Sequence, residues 1–96
     1  MTTHPPYEFC LYVAGDTQNS LRALANLNAF CRAQLPGRHR IEVVDVFSEP
    51  KRALAQRIFM TPTLVKLAPA PACRITGTLS HLPTLLEALG LDPLPA

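Results

Sequence analysis

From Tyr7 to Ala14 the chain sets Tyr7, Phe9, Leu11 and Val13 on one side of an extended backbone, and Glu8, Cys10, Tyr12 and Ala14 on the other. Successive side chains of a strand point to opposite faces. Both faces are mainly apolar here, which predicts an inner strand covered on two sides. After the turn cluster Gly15-Asp16-Thr17-Gln18-Asn19-Ser20 the period changes to that of a helix. Leu21, Leu24, Leu27 or Asn28, Cys31 and Leu35 recur at helical spacing, with Ala25 and Phe30 widening the stripe. Arg22, Asn26 and Arg32 fall outside it. A helix is expected from about Leu21 to Leu35. Asn19 or Ser20 would cap it by accepting a backbone N–H bond, and Pro36-Gly37 would stop it.

Ile41-Glu42-Val43-Val44-Asp45-Val46-Phe47 is rich in β-branched residues and predicts a second strand, parallel to the first across the helix. Ser48 then caps a helix over Glu49–Phe59, with Ala53, Leu54, Ile58 and Phe59 inward and Lys51, Arg52, Gln56 and Arg57 outward. Met60-Thr61-Pro62-Thr63-Leu64 follows. Proline cannot donate to a sheet ladder and biases Thr61 away from helical angles, so the helix ends and a strand over Thr63–Leu67 begins. Ala68-Pro69-Ala70-Pro71-Ala72 is a hairpin connection to a short strand, Cys73-Arg74-Ile75-Thr76, with Gly77 as the next turn. Ser80 would cap a last helix carrying Leu82, Leu85, Leu86 and Leu89, with Pro83 in its first turn and Gly90 as its stop.

The expected order is therefore β-α-β-α-β-β-α, a single α/β domain of thioredoxin-like architecture. In that fold a cis proline opens the third strand, facing the loop between the first strand and helix. The fold assigns that place to Thr61–Pro62.

The chain has 96 residues, enough for one domain with a modest core. We expect tails at 1–6 and 93–96 flanking a domain at 7–92. Hydrophobic residues make up 48% and charged residues 17%, so the surface is thinly charged and has room for exposed apolar area used in association. A net charge of +2 does not argue for nucleic acid or membrane. No run approaches a membrane span, and Met1-Thr2-Thr3-His4-Pro5-Pro6 lacks the basic and apolar regions of a signal peptide. A cytoplasmic protein is expected.

Redox enzymes of this architecture place a nucleophilic Cys at the mouth of the first helix, where free N–H groups stabilise the thiolate. Here that place holds Thr17-Gln18-Asn19-Ser20. Cys10, Cys31 and Cys73 form no C-x-x-C and no zinc spacing, and each sits in an apolar pattern as a small hydrophobe. Ser20 has no activating base nearby in sequence, so it reads as a cap rather than a nucleophile. His4, His39 and His81 are isolated and expected to be exposed. No catalytic residue, metal or cofactor is expected. Lys51, Arg52, Arg57, Lys66 and Arg74 concentrate in the second half, opposed there by Glu49 alone, and predict a basic patch for an acidic protein surface. Aromatic content of 6% without Trp makes nucleic acid a poor third option.

Leu11-Tyr12-Val13-Ala14-Gly15-Asp16-Thr17-Gln18-Asn19-Ser20 resembles the L-Y-V-A-G-x-T-x-x-S opening of the KaiB family of circadian clock proteins. Val43-Val44-Asp45-Val46, Glu49-Pro50, the block from Ile58 to Leu64, Lys66-Leu67 and Arg74-Ile75-Thr76-Gly77 extend the likeness over about residues 7–90. The sensor domain of a clock histidine kinase shares much of it. The resemblance implies a non-enzymatic protein that binds a KaiC-type ring ATPase, in full clocks also engages KaiA, and competes with that kinase. It also implies fold switching between the thioredoxin-like form and a βαββααβ packing that assembles into homodimers and homotetramers. Arg57, Lys66 and Arg74 match basic positions near the family's KaiC contact. Gly77-Thr78-Leu79-Ser80-His81 departs from the usual G-D-L-S-D, Pro69-Ala70-Pro71 departs from a Pro-Pro-Pro run, and the acidic tail is missing. The Ser80, leucine-stripe and Gly90 signals favour a terminal helix, hence the thioredoxin-like form. Other readings are a sensor or oligomerisation module for a kinase, and a thiol enzyme using a noncanonical Cys.

Overall fold

The computed structural model describes residues 6–91; nearly all of the two expected tails lies outside them. The elements run β1 (Tyr7–Val13), α1 (Gln18–Gln34), β2 (His39–Asp45), α2 (Pro50–Ala55), β3 (Thr63–Ala68), β4 (Cys73–Thr76) and α3 (Leu82–Ala88). This is the thioredoxin-like order, not βαββααβ. One four-stranded sheet has the order β2-β1-β3-β4. β1 pairs parallel with β2, from Tyr7 opposite His39 to Val13 opposite Asp45. It pairs antiparallel with β3, and β3 with β4. The Thr61–Pro62, Ala68–Pro69 and Ala70–Pro71 bonds are cis.

The two-sided pattern of β1 explains the layers. Tyr7, Phe9, Leu11 and Val13 pack with Leu64 under Ala23, Leu27, Phe30, Cys31, the α3 leucines Leu85 and Leu86, and Leu89 at the end of α3. On the other face Cys10, Tyr12, Val44 and Val65 meet Ala53 and Ile58. Burying a leucine or phenylalanine side chain contributes about 1.5–3 kcal/mol, so the larger cluster under α1 and α3 dominates. The short α2 covers a smaller apolar patch.

The expected helix starts need correction. α1 begins three residues early, at Gln18, with Thr17 as N-cap and no side-chain capping bond. Neither Asn19 nor Ser20 is the cap. The buried stripe is Ala23, Leu27, Phe30 and Cys31, while Leu21 and Ala25 are exposed. The N-caps of α2 and α3 are Glu49 and His81 rather than Ser48 and Ser80, again without side-chain capping bonds. Ser80 Oγ instead pairs with Thr78 Oγ1 at 3.2 Å. α2 stops at Ala55, because Arg57 takes the left-handed conformation (φ +54°) and turns the chain. Phe59, expected inward, therefore faces solvent, and Leu54, also expected inward, is exposed on α2, which buries Ala53 instead.

Candidate interaction surface

Because β1 and β2 run parallel and β3 antiparallel to them, one end of the sheet gathers the exits of β1 and β2, the entry to β3 and the start of α1. Ser20 lies in the first turn of α1 and is buried. Its Oγ accepts the Ala14 N–H at 3.2 Å and the Thr17 hydroxyl at 2.8 Å. The serine thus fastens the loop below the helix instead of capping it. Gly15 takes φ +58°, a conformation that suits glycine, and a Cβ there would come 3.8 Å from the Phe47 ring. Asp45 Oδ1 accepts from Gly15 N at 3.3 Å and from Phe47 N at 2.9 Å. The second bond is a local Asx turn, which a short acid at a strand end favours. Phe47, held at this corner, is 74% exposed.

The entry to β3 forms the neighbouring segment. Ile58 turns into the core while Phe59 (79% exposed) and Met60 (67%) turn out. Thr63 Oγ1 donates to the Met60 carbonyl at 2.6 Å, and the Gly77 N–H donates to the carbonyl of buried Pro62 at 2.9 Å. Thr61, beside it, is half-buried. Arg74 on β4 reaches across, its Nη1 donating to the Arg57 carbonyl at 3.3 Å. Arg57, Phe59, Met60, Thr63, Arg74 and Thr76 line a shallow cavity of about 200 Å³ with no acidic residue in its wall.

The five expected cations divide. Arg57 and Arg74 come together beside exposed apolar side chains. Lys51 is exposed on α2. Arg52 is engaged by Glu42 through both terminal guanidinium nitrogens and lies 3.6 Å from Glu49. This contact holds the Glu42 carboxyl below its ordinary range. Lys66 shares the α1–α3 face of the sheet with Leu64 and is buried beside Tyr7. It is not part of a continuous patch with Arg57 and Arg74, whose strand partner Val65 faces α2.

No thiol lies at Thr17–Ser20. Cys10 and Cys31 are buried, Cys73 half-buried, and all three are free. Burial pushes the Cys31 thiol up to about 11 and raises that of Cys10 as well. His39 is half-buried rather than exposed, its Nδ1 2.8 Å from the Leu35 carbonyl. No group of His, Cys, Asp or Glu among the described residues could hold a metal ion. No helix among them is long and apolar enough to cross a membrane. Sequence reasoning missed Asp45, Phe47, Phe59 and Met60. The signal for Asp45 was its place at a strand end two residues before the exposed aromatic.

Residues 10–91 match the family model described as the KaiB domain. The chain belongs to the KaiB family. It is 43% identical over 86 residues to the circadian clock oscillator protein KaiB of Thermostichus vulcanus, covering 90% of this chain and 78% of that one. It is 39% identical over 85 residues to the circadian clock protein KaiB3 of Synechocystis sp., covering 88% and 81%. Among solved structures, the N-terminal domain of Synechococcus elongatus SasA superposes with a TM-score of 0.67 at 23% identity, covering 94% of this chain and 89% of that one. Chloroplastic thioredoxin z gives 0.74 at 21% identity, covering 91% and 78%. These two likenesses are of fold. With KaiB relatives, the chain is a clock-related protein that keeps a thioredoxin-like scaffold without a thiol at the helix mouth.

Proposed function

We propose that this KaiB-family chain is a non-enzymatic binding protein that docks on a KaiC-type ATPase, in a cytoplasmic circadian clock or a signalling system derived from one. The observation that carries this reading is the end of the sheet around Pro62. Where redox relatives would present a reactive sulfur, this chain presents Phe47, Phe59 and Met60 to solvent, with Arg57 and Arg74 alongside. Large exposed apolar side chains bordered by cations fit a partner surface that is apolar at its centre and acidic at its edge. Lys51 is exposed on α2, Arg52 is engaged by Glu42, and Lys66 lies at the other end of β3. The test is native mass spectrometry or pull-down with the host's KaiC homologue, with and without nucleotide. A complex that Phe59→Ala and Arg74→Glu weaken supports the reading. No complex at tens of micromolar, or turnover of a disulfide substrate by the chain, overturns it.

The fold shared with the SasA N-terminal domain supports a second reading, a sensor-like module acting with a histidine kinase. Competition binding separates the two. A KaiC docker is displaced from the ATPase by the kinase's sensor domain, whereas a kinase module binds the kinase itself. Self-association into dimers or tetramers is read by light scattering.

A further inference from the structure

Lys66 occupies a position that alternation reserves for an apolar side chain. It lies on inner strand β3, opposite Phe9 on one side and Cys73 on the other, and is 4% exposed. Its Nζ stands 5.7 Å from the centroid of the Tyr7 ring. An ammonium over an aromatic face gains some attraction, but it still has three N–H donors to satisfy. Among the described residues no carboxylate reaches ion-pair distance of it. The stem of a buried lysine runs along apolar surface while its head group stays where water or a ligand can reach it, here at the cavity that Lys66 lines.

A cavity of about 360 Å³ adjoins this lysine. Its walls are Tyr7 and Lys66 on the sheet, Pro69 and Pro71 from the β3–β4 connection, and Glu87 and Gly90 from the end of α3. This is the pole opposite Phe59 and Met60, so the site is separate from the proposed docking surface. The volume is that of a small-molecule pocket with a few polar groups on an apolar wall.

We propose that this cavity binds a small organic monocarboxylate, its carboxylate on Lys66 Nζ and its apolar part against Tyr7, Pro69 and Pro71. The rim residue Glu87 sets the charge. One added negative charge is a modest penalty for a monoanion and a larger one for phosphate. The site asks nothing of a KaiC-type partner, so its failure leaves the docking proposal untouched.

The test is an NMR titration of the full chain with butyrate, butyramide and inorganic phosphate. Butyrate is expected to shift the Tyr7, Ala70 and Gly90 amides saturably, and butyramide to leave them unmoved. Lys66→Met, which keeps the apolar stem, should weaken butyrate at least about tenfold, and Glu87→Gln should tighten it. No saturable shift with butyrate, equal binding of butyramide, tighter binding of phosphate, or an unchanged Lys66→Met each overturns the proposal. If Lys66→Met does not fold, the contrast between butyrate and butyramide on the unaltered chain decides. Asp92→Asn addresses a carboxylate from the chain itself: butyrate binding seen only in that variant means Asp92 holds the lysine and the proposal falls.

Discussion

Asp45 Oδ1 accepts the Gly15 N–H at 3.3 Å, joining the exit of β2 to the exit of β1. The same oxygen holds Phe47 N at 2.9 Å. Asp45→Ala leaves both donors without this partner and should cost about 1–2 kcal/mol in urea unfolding. It should also weaken KaiC-type binding by freeing Phe47. Asp45→Asn, which keeps an acceptor oxygen, should recover most of both losses. Equal damage from Asn and Ala would show that charge, not the hydrogen bonds, matters there.

Ser20→Ala removes the acceptor of the Ala14 N–H and the Thr17 hydroxyl at a buried position. The expected cost is about 1–2 kcal/mol, as for a buried donor left unsatisfied. Reactivity toward disulfide substrates should be nil in both proteins. A Ser20→Ala chain as stable as the parent by chemical denaturation would remove this fastening role.

The Glu42–Arg52 contact should make stability depend on pH in one direction. The folded Glu42 carboxyl sits below its ordinary value, so near acid pH the unfolded chain binds more protons. The contribution is complete above the unfolded carboxylate value of about 4.3 and disappears as pH falls through the lower folded value. Glu42→Gln should flatten that part of the melting-temperature profile. Because the pair is exposed, the whole effect should be modest and shrink further in about 1 M salt.

On the candidate surface, Phe59→Ala should weaken partner binding at least about tenfold, as a central aromatic contact does. Its melting temperature should barely move, since the ring is in solvent. Arg74→Glu should lower the association rate and reverse its salt dependence. Surface plasmon resonance at two ionic strengths reads both. Arg57→Ala should act similarly but less strongly, because the Arg57 carbonyl that Arg74 uses survives the change.

Thiol labelling should follow burial. At neutral pH a maleimide should modify Cys73 first, while Cys10 and Cys31 stay protonated and covered. Peptide mass spectrometry gives the order. Fast labelling of Cys31 in folded protein would contradict its packing between α1 and the sheet.

Much of the fold could be read from hydrophobic period alone. The double-faced pattern of β1 dictated a central strand, and the proline at position 62 marked where a helix must yield to a strand. Side-chain chemistry misled at the serines. Ser20, Ser48 and Ser80 all have the composition of caps, but a hydroxyl goes to the nearest strong partner, which for Ser20 is the Ala14 N–H and the Thr17 hydroxyl. Lys66 illustrates a second limit. Charge count put it with Arg57 and Arg74, yet strand alternation sends it to the face opposite Arg74. Only the register, Lys66 against Phe9 and Arg74 against Val65, makes that separation visible. Phe59 was lost for a related reason. An apolar residue late in a helical pattern looks inward until the chain leaves the helix, as it does after Ala55.

β4 offers four residues and carries exposed Arg74. A strand that brief gives an incoming chain few backbone groups to template on, and a guanidinium penalises stacking against a copy of itself. Concentrated solutions of this protein should therefore resist fibril growth from that rim. Lengthening the strand, or exchanging Arg74 for valine, would be expected to shorten the lag before thioflavin-positive aggregates form.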